Sequence, residues 1–239
     1  MIDGTYVVVG CGEQKQDTND PVPAKELYTS AYFTCKRRYA EAVSQPADDA
    51  PDGTPGWTIL SAKHDILYPS LEIEPYDETI DDLAERDAPV AADAYQHTRY
   101  PWDEPEYHTA LDFWTRRVHY GLASWLGMKS GFPEEDPHCK RLYVVAGDRY
   151  VDPLEEHNVF APFPWPTTFP FQEKDFNGIG EQMEWLSEEA EQYEAMQPDS
   201  GSVQAAVERW TPNPEPDLDR PDVEGQSVWT DWTEDGDES

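Results

Sequence analysis

Three short apolar runs constrain the fold of this 239-residue chain more than any other feature: Tyr6 to Val9, Trp57 to Leu60 and Arg141 to Ala146. Each is rich in β-branched or aromatic side chains, and each gives way at once to glycine or small polar residues. An apolar run of this length without alternation is the mark of a strand covered on both faces, as in a parallel sheet. Between the runs lie stretches of helical spacing. Ser30 is placed to cap a helix from about Ala31 to Gln45, and Leu111, Trp114, Val118, Leu122, Trp125 and Leu126 recur at three and four residues between Glu106 and Gly127. A further acidic helix is expected from Asp81 to Asp93, interrupted at Pro89, a short one at Val151 to Leu154, and a last one from Glu181 to about Met196. Strands alternating with helices predict an α/β protein, a three-layer α/β/α domain with a mostly parallel central sheet. The prolines of Val159 to Pro164 read as an extended edge or surface strap.

Composition divides the chain. Residues 1–197 carry the strand and helix signals, with a helical insertion at about 81–140, whereas 198–239 holds twelve acids against two arginines and is rich in proline. Such a segment cannot bury enough apolar surface to offset the entropy of ordering, so a disordered acidic tail is expected. Trp229 and Trp232 offer that tail a contact to a protein partner or to the domain, with a solubilising tail as the first reading. Across the whole chain 50 acidic residues face 17 basic ones, for a formal net charge of -33. Self-repulsion on that scale suits a salt-saturated cytoplasm in which cations screen it, the setting of a halophile. It also argues against a broad electrostatic grip on DNA or RNA, leaving a local basic cleft as the only route to phosphate.

Cys11, Cys35 and Cys139 form no CxxC pair and have no companion histidine at zinc spacing, so no metal is expected. Neither GxGxxG nor GxxxxGK[ST] occurs, which removes the usual nucleotide cofactor motifs, and no cofactor is expected. The amino-terminal MIDGTYVVVG has no basic leader, and no stretch is long and apolar enough for a membrane span. A soluble cytoplasmic protein is the expectation.

In open α/β sheets, ligands bind where loops leave the carboxyl ends of the strands. After the first run come Cys11, Gly12 and Lys15; after the second, Ser61, Ala62, Lys63 and His64; after the third, Gly147, Asp148, Arg149 and Tyr150. Lys63 supplies a fixed cation and His64 exchanges a proton near neutrality. Of seven lysines, Lys15, Lys25 and Lys63 lie in or beside these loops. Cys11 reads first as a small residue at a strand end and second as a nucleophile. Pro75 restricts Glu74 to extended conformations, a bend that brings Tyr76 and Asp77 against the Lys63/His64 loop. Lys15, Lys63, His64, Asp77 and Tyr150 are expected to line one pocket. His108 and His119 read as structural.

Several of these segments together resemble a known group. CGEQK at 11–15, PAKELYTS at 23–30, ILSAKHDIL at 59–67, EPYDETI at 74–80, AGDRYVDPL at 146–154 and GIGEQMEWL at 178–186 are similar to an uncharacterised domain family. That family is related to the YaaA-type proteins associated with peroxide stress, and more distantly to a domain of archaeosine synthases and to the uracil-DNA glycosylase fold. With the acidity, the resemblance suggests a haloarchaeal or haloviral member. It implies a domain whose strand-end loops handle a nucleobase, nucleoside or nucleic acid through Cys11, Lys15, Tyr28, Ser61, Lys63, His64, Tyr76, Asp77, Gly147 and Tyr150. In one departure, Asp65 stands where the family carries glycine, and Asp is among the few residues that tolerate a left-handed backbone. An enzyme acting at a glycosidic bond or modified base would use His64 as general acid or base with Asp77 orienting it. Lys63 and Lys15 would hold a phosphate or developing anion, and Tyr150 would stack on the base. The rival classes are a non-catalytic nucleic-acid-binding or stress-response protein, and an accessory protein recruited through its tail.

Overall fold

Strand β1 (Thr5–Gly10) is buried along its whole length because it is the middle strand of a five-stranded sheet. The computed structural model describes residues 3–89, 108–127 and 138–196. After β1 come β2 (Val22–Pro23), α1 (Ala24–Leu27), α2 (Ala31–Val43), β3 (Trp57–Ser61), β4 (Asp65–Leu67), β5 (Glu72–Ile73) and α3 (Ile80–Glu85). The chain continues with α4 (Ala110–Trp125), β6 (Arg141–Val145), α5 (Asp148–Glu156), β7 (Thr167–Thr168), α6 (Pro170–Glu173) and α7 (Ile179–Met196). The strand order is β4-β3-β1-β6-β7, parallel except for β4, which folds back on β3. The two-residue strands β2 and β5 pair antiparallel outside this sheet and tie the segment after β1 to the segment that follows β4.

Side-chain alternation along the strands separates two cores. Tyr6, Val8, Leu60, Leu142 and Val144 pack with Trp114, Val118 and Leu122 of α4 and with Leu83 of α3. Val7, Val9, Ile59 and Val145 pack on the other face with Phe33, Tyr39 and Ala40 of α2 and Leu186 of α7. Full burial of each such aliphatic side chain stabilises by about 1.5–3 kcal/mol relative to exposure. Both faces being covered explains why the strand sequences show no polar alternation. The architecture is the three-layer α/β domain with a mostly parallel sheet.

Caps set the helix boundaries. The Ser30 Oγ accepts from the Phe33 amide at 3.1 Å and starts α2 at the expected residue. Capping boxes at Thr79/Asp82 and Thr109/Asp112 start α3 and α4, so α4 begins at Ala110. Helix α3 ends before Pro89, four residues short of it, with Arg86 already extended. Residues 148–150, expected as loop, form the first turn of α5, where Gly147 occupies the N-cap position and Asp148 meets the positive end of the helix dipole. The segment 159–164, expected as an extended edge or surface strap, instead forms turns that bury Val159 and Phe163 and leave Ala161 and Pro164 exposed. Phe163 stacks on Trp165 and on His119, whose Nδ1 lies 2.8 Å from the Val159 carbonyl. The tail at 198–239 and the parts of the insertion at 90–107 and 128–137 lie outside the described residues. Among the described residues no helix is long and apolar enough to cross a membrane.

Candidate functional site

The chain leaves β1 toward β3 on one side and later returns to β6 on the other, so the order reverses between β1 and β6. Loops diverge there and leave a crevice at the carboxyl edge. Cys11 and Tyr150 stand on its two banks, with the Cys11 Sγ 3.0 Å from the Tyr150 Oη. The Cys11 amide donates to the Leu60 carbonyl at 3.0 Å, which extends the β1–β3 ladder to the crevice. Downstream, Gln16 N donates to Leu27 O at 2.8 Å and Thr29 N to Gln14 O at 3.0 Å, fixing Lys15 against Tyr28. Packing is tight at Gly12, where a Cβ would lie 3.1 Å from Ser30 Oγ and 3.3 Å from Phe33 Cβ and a neighbour would have to give by a few tenths of an ångström.

The turn between β3 and β4 is built by its own polar atoms. Ser61 Oγ accepts from the His64 amide at 3.1 Å, while the Ser61 carbonyl accepts from Trp114 Nε1 at 2.8 Å. Asp65 then takes a φ of 56°, the left-handed conformation that glycine adopts freely and Asp tolerates. Its carboxylate meets the Arg117 guanidinium at 2.9 Å. Burial nevertheless pushes the Asp65 carboxyl up to about 7, with Arg117 pulling it down and Glu78 adding to the rise.

Tyr76 is where these loops meet. Its hydroxyl lies 2.7 Å from the Tyr28 hydroxyl and 2.7 Å from Ser61 Oγ, all three groups being buried. Its ring is approached by Lys15 Nζ at 4.6 Å and Lys63 Nζ at 5.5 Å, and the His64 ring meets it edge-on at 5.2 Å. Neither lysine forms an ion pair among the described residues. Burial, and then proximity to Cys11, raises Tyr28, Tyr76 and Tyr150 well above the ordinary phenol range, so these hydroxyls act as neutral donors and acceptors. Burial also lowers the His64 pKa, helped by Lys63 and Arg117 and opposed by Glu78. The His64 Nε2 is buried without a hydrogen-bond partner among the described residues.

The structure therefore brings Cys11, Lys15, Tyr28, Ser61, Lys63, His64, Tyr76 and Tyr150 to one stretch of the sheet edge. Gly147 is exposed at the start of α5, and an added Cβ there would meet nothing within 4 Å. Asp77 is exposed and makes no hydrogen bond or ion pair to His64 among the described residues; its half-buried neighbour Glu78 is paired with Arg86. The Tyr150 ring packs 6.0 Å from Trp114. Among the described residues no cluster of three or more His, Cys, Asp or Glu could hold a metal ion.

One residue of this region was not singled out from sequence. Lys36 of α2 is only 4% exposed, yet its ammonium has no carboxylate partner among the described residues. It donates to the Gly10 carbonyl, with the Cys11 carbonyl 3.5 Å away and the Tyr32 ring 4.7 Å away. Desolvation lowers its pKa to about 8, while Cys11 favours the charged form. The signal was present as a lysine three residues after Phe33 and three before Tyr39, on the apolar face of α2. Periodicity alone does not distinguish such a lysine from one that snorkels to solvent.

Residues 6–99 match the model of a family of unknown function (DUF6884). That span includes every site residue from Cys11 to Asp77 and stops short of Gly147 and Tyr150. No curated protein matches the chain, and no solved structure does.

Proposed function

We propose that this protein binds a nucleobase or nucleoside, free or within a nucleic acid, in the crevice beside Tyr76, and acts there on a glycosidic bond or a modified base. The observation that carries the reading is the convergence of Lys15 and Lys63, both without ion-pair partners among the described residues, on the Tyr76 ring next to His64. In a chain with 50 acids and 17 bases, two uncompensated cations on one ring mark a place reserved for an anionic or electron-rich ligand. The His64 pKa is shifted below its ordinary value, which favours the neutral imidazole, and its Nε2 has no hydrogen-bond partner among the described residues. Lys15 and Lys63 hold phosphate or developing negative charge. The motif resemblance to YaaA-type proteins and to the uracil-DNA glycosylase fold agrees with this ligand class. A salt-rich cytoplasm is the setting in which such acidity is sustained, and the acidic segment after residue 197 serves as a separate solubilising or partner-contacting tail.

The test is a thermal-shift screen of the full chain in molar KCl with bases, nucleosides, nucleotides and short oligonucleotides. A base-containing compound should raise the melting temperature, and Lys15→Ala should weaken that effect. Failure of every base-containing compound to shift it would overturn the reading. Turnover of the identified ligand should fall about 10²–10⁴-fold in His64→Ala, the usual contribution of a positioned acid–base group. Binding without turnover in the wild type would assign the protein to the non-catalytic class.

A further inference from the structure

The Cys11 thiol follows directly on the middle strand β1, a nucleophilic atom at the crevice that acid–base chemistry at His64 does not use. The residue is half-exposed, its amide is tied to the Leu60 carbonyl, and its Sγ lies 3.0 Å from the Tyr150 hydroxyl. We infer that Cys11 is a nucleophile activated by the buried ammonium of Lys36, and that this edge of the crevice is a site of covalent chemistry with a soft carbon electrophile. The inference does not depend on the crevice ligand being a base, so either can fail without the other.

Lys36 points to a negative charge on that sulfur. Its ammonium donates to the Gly10 carbonyl and lies 3.5 Å from the carbonyl of Cys11 itself, so it is held against the two residues that carry the chain into the crevice. A Cβ at Gly10 would lie 3.6 Å from the Lys36 Nζ, which places the ammonium against the last residue of β1. With the side chain only 4% exposed, water does not solvate this charge, and carbonyl dipoles offset its burial only in part. No carboxylate supplies a counter-charge among the described residues, and the group that favours the charged form of Lys36 is Cys11. Attraction between charges is mutual. The ammonium therefore favours the thiolate, which is the form that attacks.

The other elements packed around Cys11 contribute phenols. Tyr28 follows α1, Tyr76 precedes α3 and Tyr150 belongs to α5, and burial keeps all three neutral. A neutral phenol donates to a thiolate and does not compete with it for the ammonium. Behind Tyr76 stand Lys15, Lys63 and His64, which bring two further cations to the same side. The remaining thiols differ: Cys35 is half-exposed and meets the Ser187 hydroxyl at 4.0 Å, and Cys139 is buried. In the covalent step the thiol proton passes to water, a sulfur lone pair forms the S–C bond, and the leaving group departs with the electrons of the bond it breaks. Lys36 touches no electrophile in this scheme; it is a positioning residue that acts through Cys11.

The experiment treats the full chain in molar KCl with iodoacetamide, a neutral probe that releases iodide, and follows each cysteine peptide by mass spectrometry from about pH 6 to about pH 10. Salt at this level screens a buried pair little. At about pH 7 Cys11 should be alkylated about tenfold or more faster than Cys35. Lys36→Met should slow Cys11 about three- to tenfold at that pH. The two rates should converge by about pH 10, because Lys36, with a pKa of about 8, has by then lost its proton in the wild type as well. Methionine replaces a buried charge by an apolar chain of similar length, and the wild-type comparison of Cys11 with Cys35 decides the first claim even if the variant does not fold. Alkylation of Cys11 no faster than that of Cys35 would overturn the inference. So would a Lys36→Met rate that is not lowered at about pH 7, or one lowered by the same factor at every pH, the mark of a lysine that only supports the fold.

Discussion

Removing one oxygen atom, with Tyr76→Phe, should destabilise the protein by about 2–4 kcal/mol, far more than the same change at Tyr28. The Tyr76 hydroxyl is the middle member of a buried chain, 2.7 Å from Tyr28 Oη and 2.7 Å from Ser61 Oγ. Tyr28 is 3% exposed and Ser61 is fully buried, so water does not replace the lost partner. Two bonds of about 0.5–1.5 kcal/mol each disappear, and leaving a buried hydroxyl unsatisfied adds a desolvation cost of about 1–3 kcal/mol, part of which overlaps the first term. Ser61 is cushioned because its Oγ still accepts from the His64 amide. Tyr28→Phe removes the end of the chain instead. Tyr76 then keeps Ser61, and the cost should be about 0.5–1.5 kcal/mol. In the double variant the Tyr28 hydroxyl is no longer present to be stranded, so the two effects should fall short of additivity by about 1–2 kcal/mol. Denaturant midpoints in molar KCl, at unchanged slope, measure all three variants. A Tyr76→Phe cost no larger than that of Tyr28→Phe, or additivity within about 0.3 kcal/mol, would refute Tyr76 as the hub.

Lys36 sets a pH signature. Its folded-state pKa of about 8 lies below the ordinary 10.5, so between these values the unfolded chain binds the proton more tightly. Stability should therefore rise with pH over that window, by about 3 kcal/mol in total, and the rise should vanish in Lys36→Met when unfolding is followed from pH 7 to 11. At Asp65, glycine and valine both remove the Arg117 ion pair, but only valine must enforce a left-handed φ. Asp65→Val should unfold more easily than Asp65→Gly by about 1–2 kcal/mol, and equal midpoints would remove the backbone argument. With a formal net charge of -33, the melting temperature should climb steeply from low to molar KCl; a flat dependence would end the halophile reading.

The chain itself determined the sheet. Tyr6 to Val9, Trp57 to Leu60 and Arg141 to Ala146 carry no polar alternation, and a strand so composed has to be covered on both faces, which means helices above and below. Ser30 announced the start of α2 for an equally local reason, a hydroxyl three residues ahead of an amide with no helical partner. Gathering Cys11, Lys15, Ser61, Lys63, His64 and Tyr150 at one edge also followed, because residues just after parallel strands emerge on the same side. What no sequence pattern carried was the direction of each side chain once there. Adjacent acids Asp77 and Glu78 are indistinguishable in sequence, yet the first is exposed to solvent and the second is half-buried and paired with Arg86. Lys36 and Arg117 sit on helices far along the chain from the loops they serve, and only the packing of α2 and α4 against the sheet brings one beneath Gly10 and the other onto Asp65. Periodicity is set by the bonds between neighbouring residues, whereas these contacts are set by how layers interlock, a property of the folded whole.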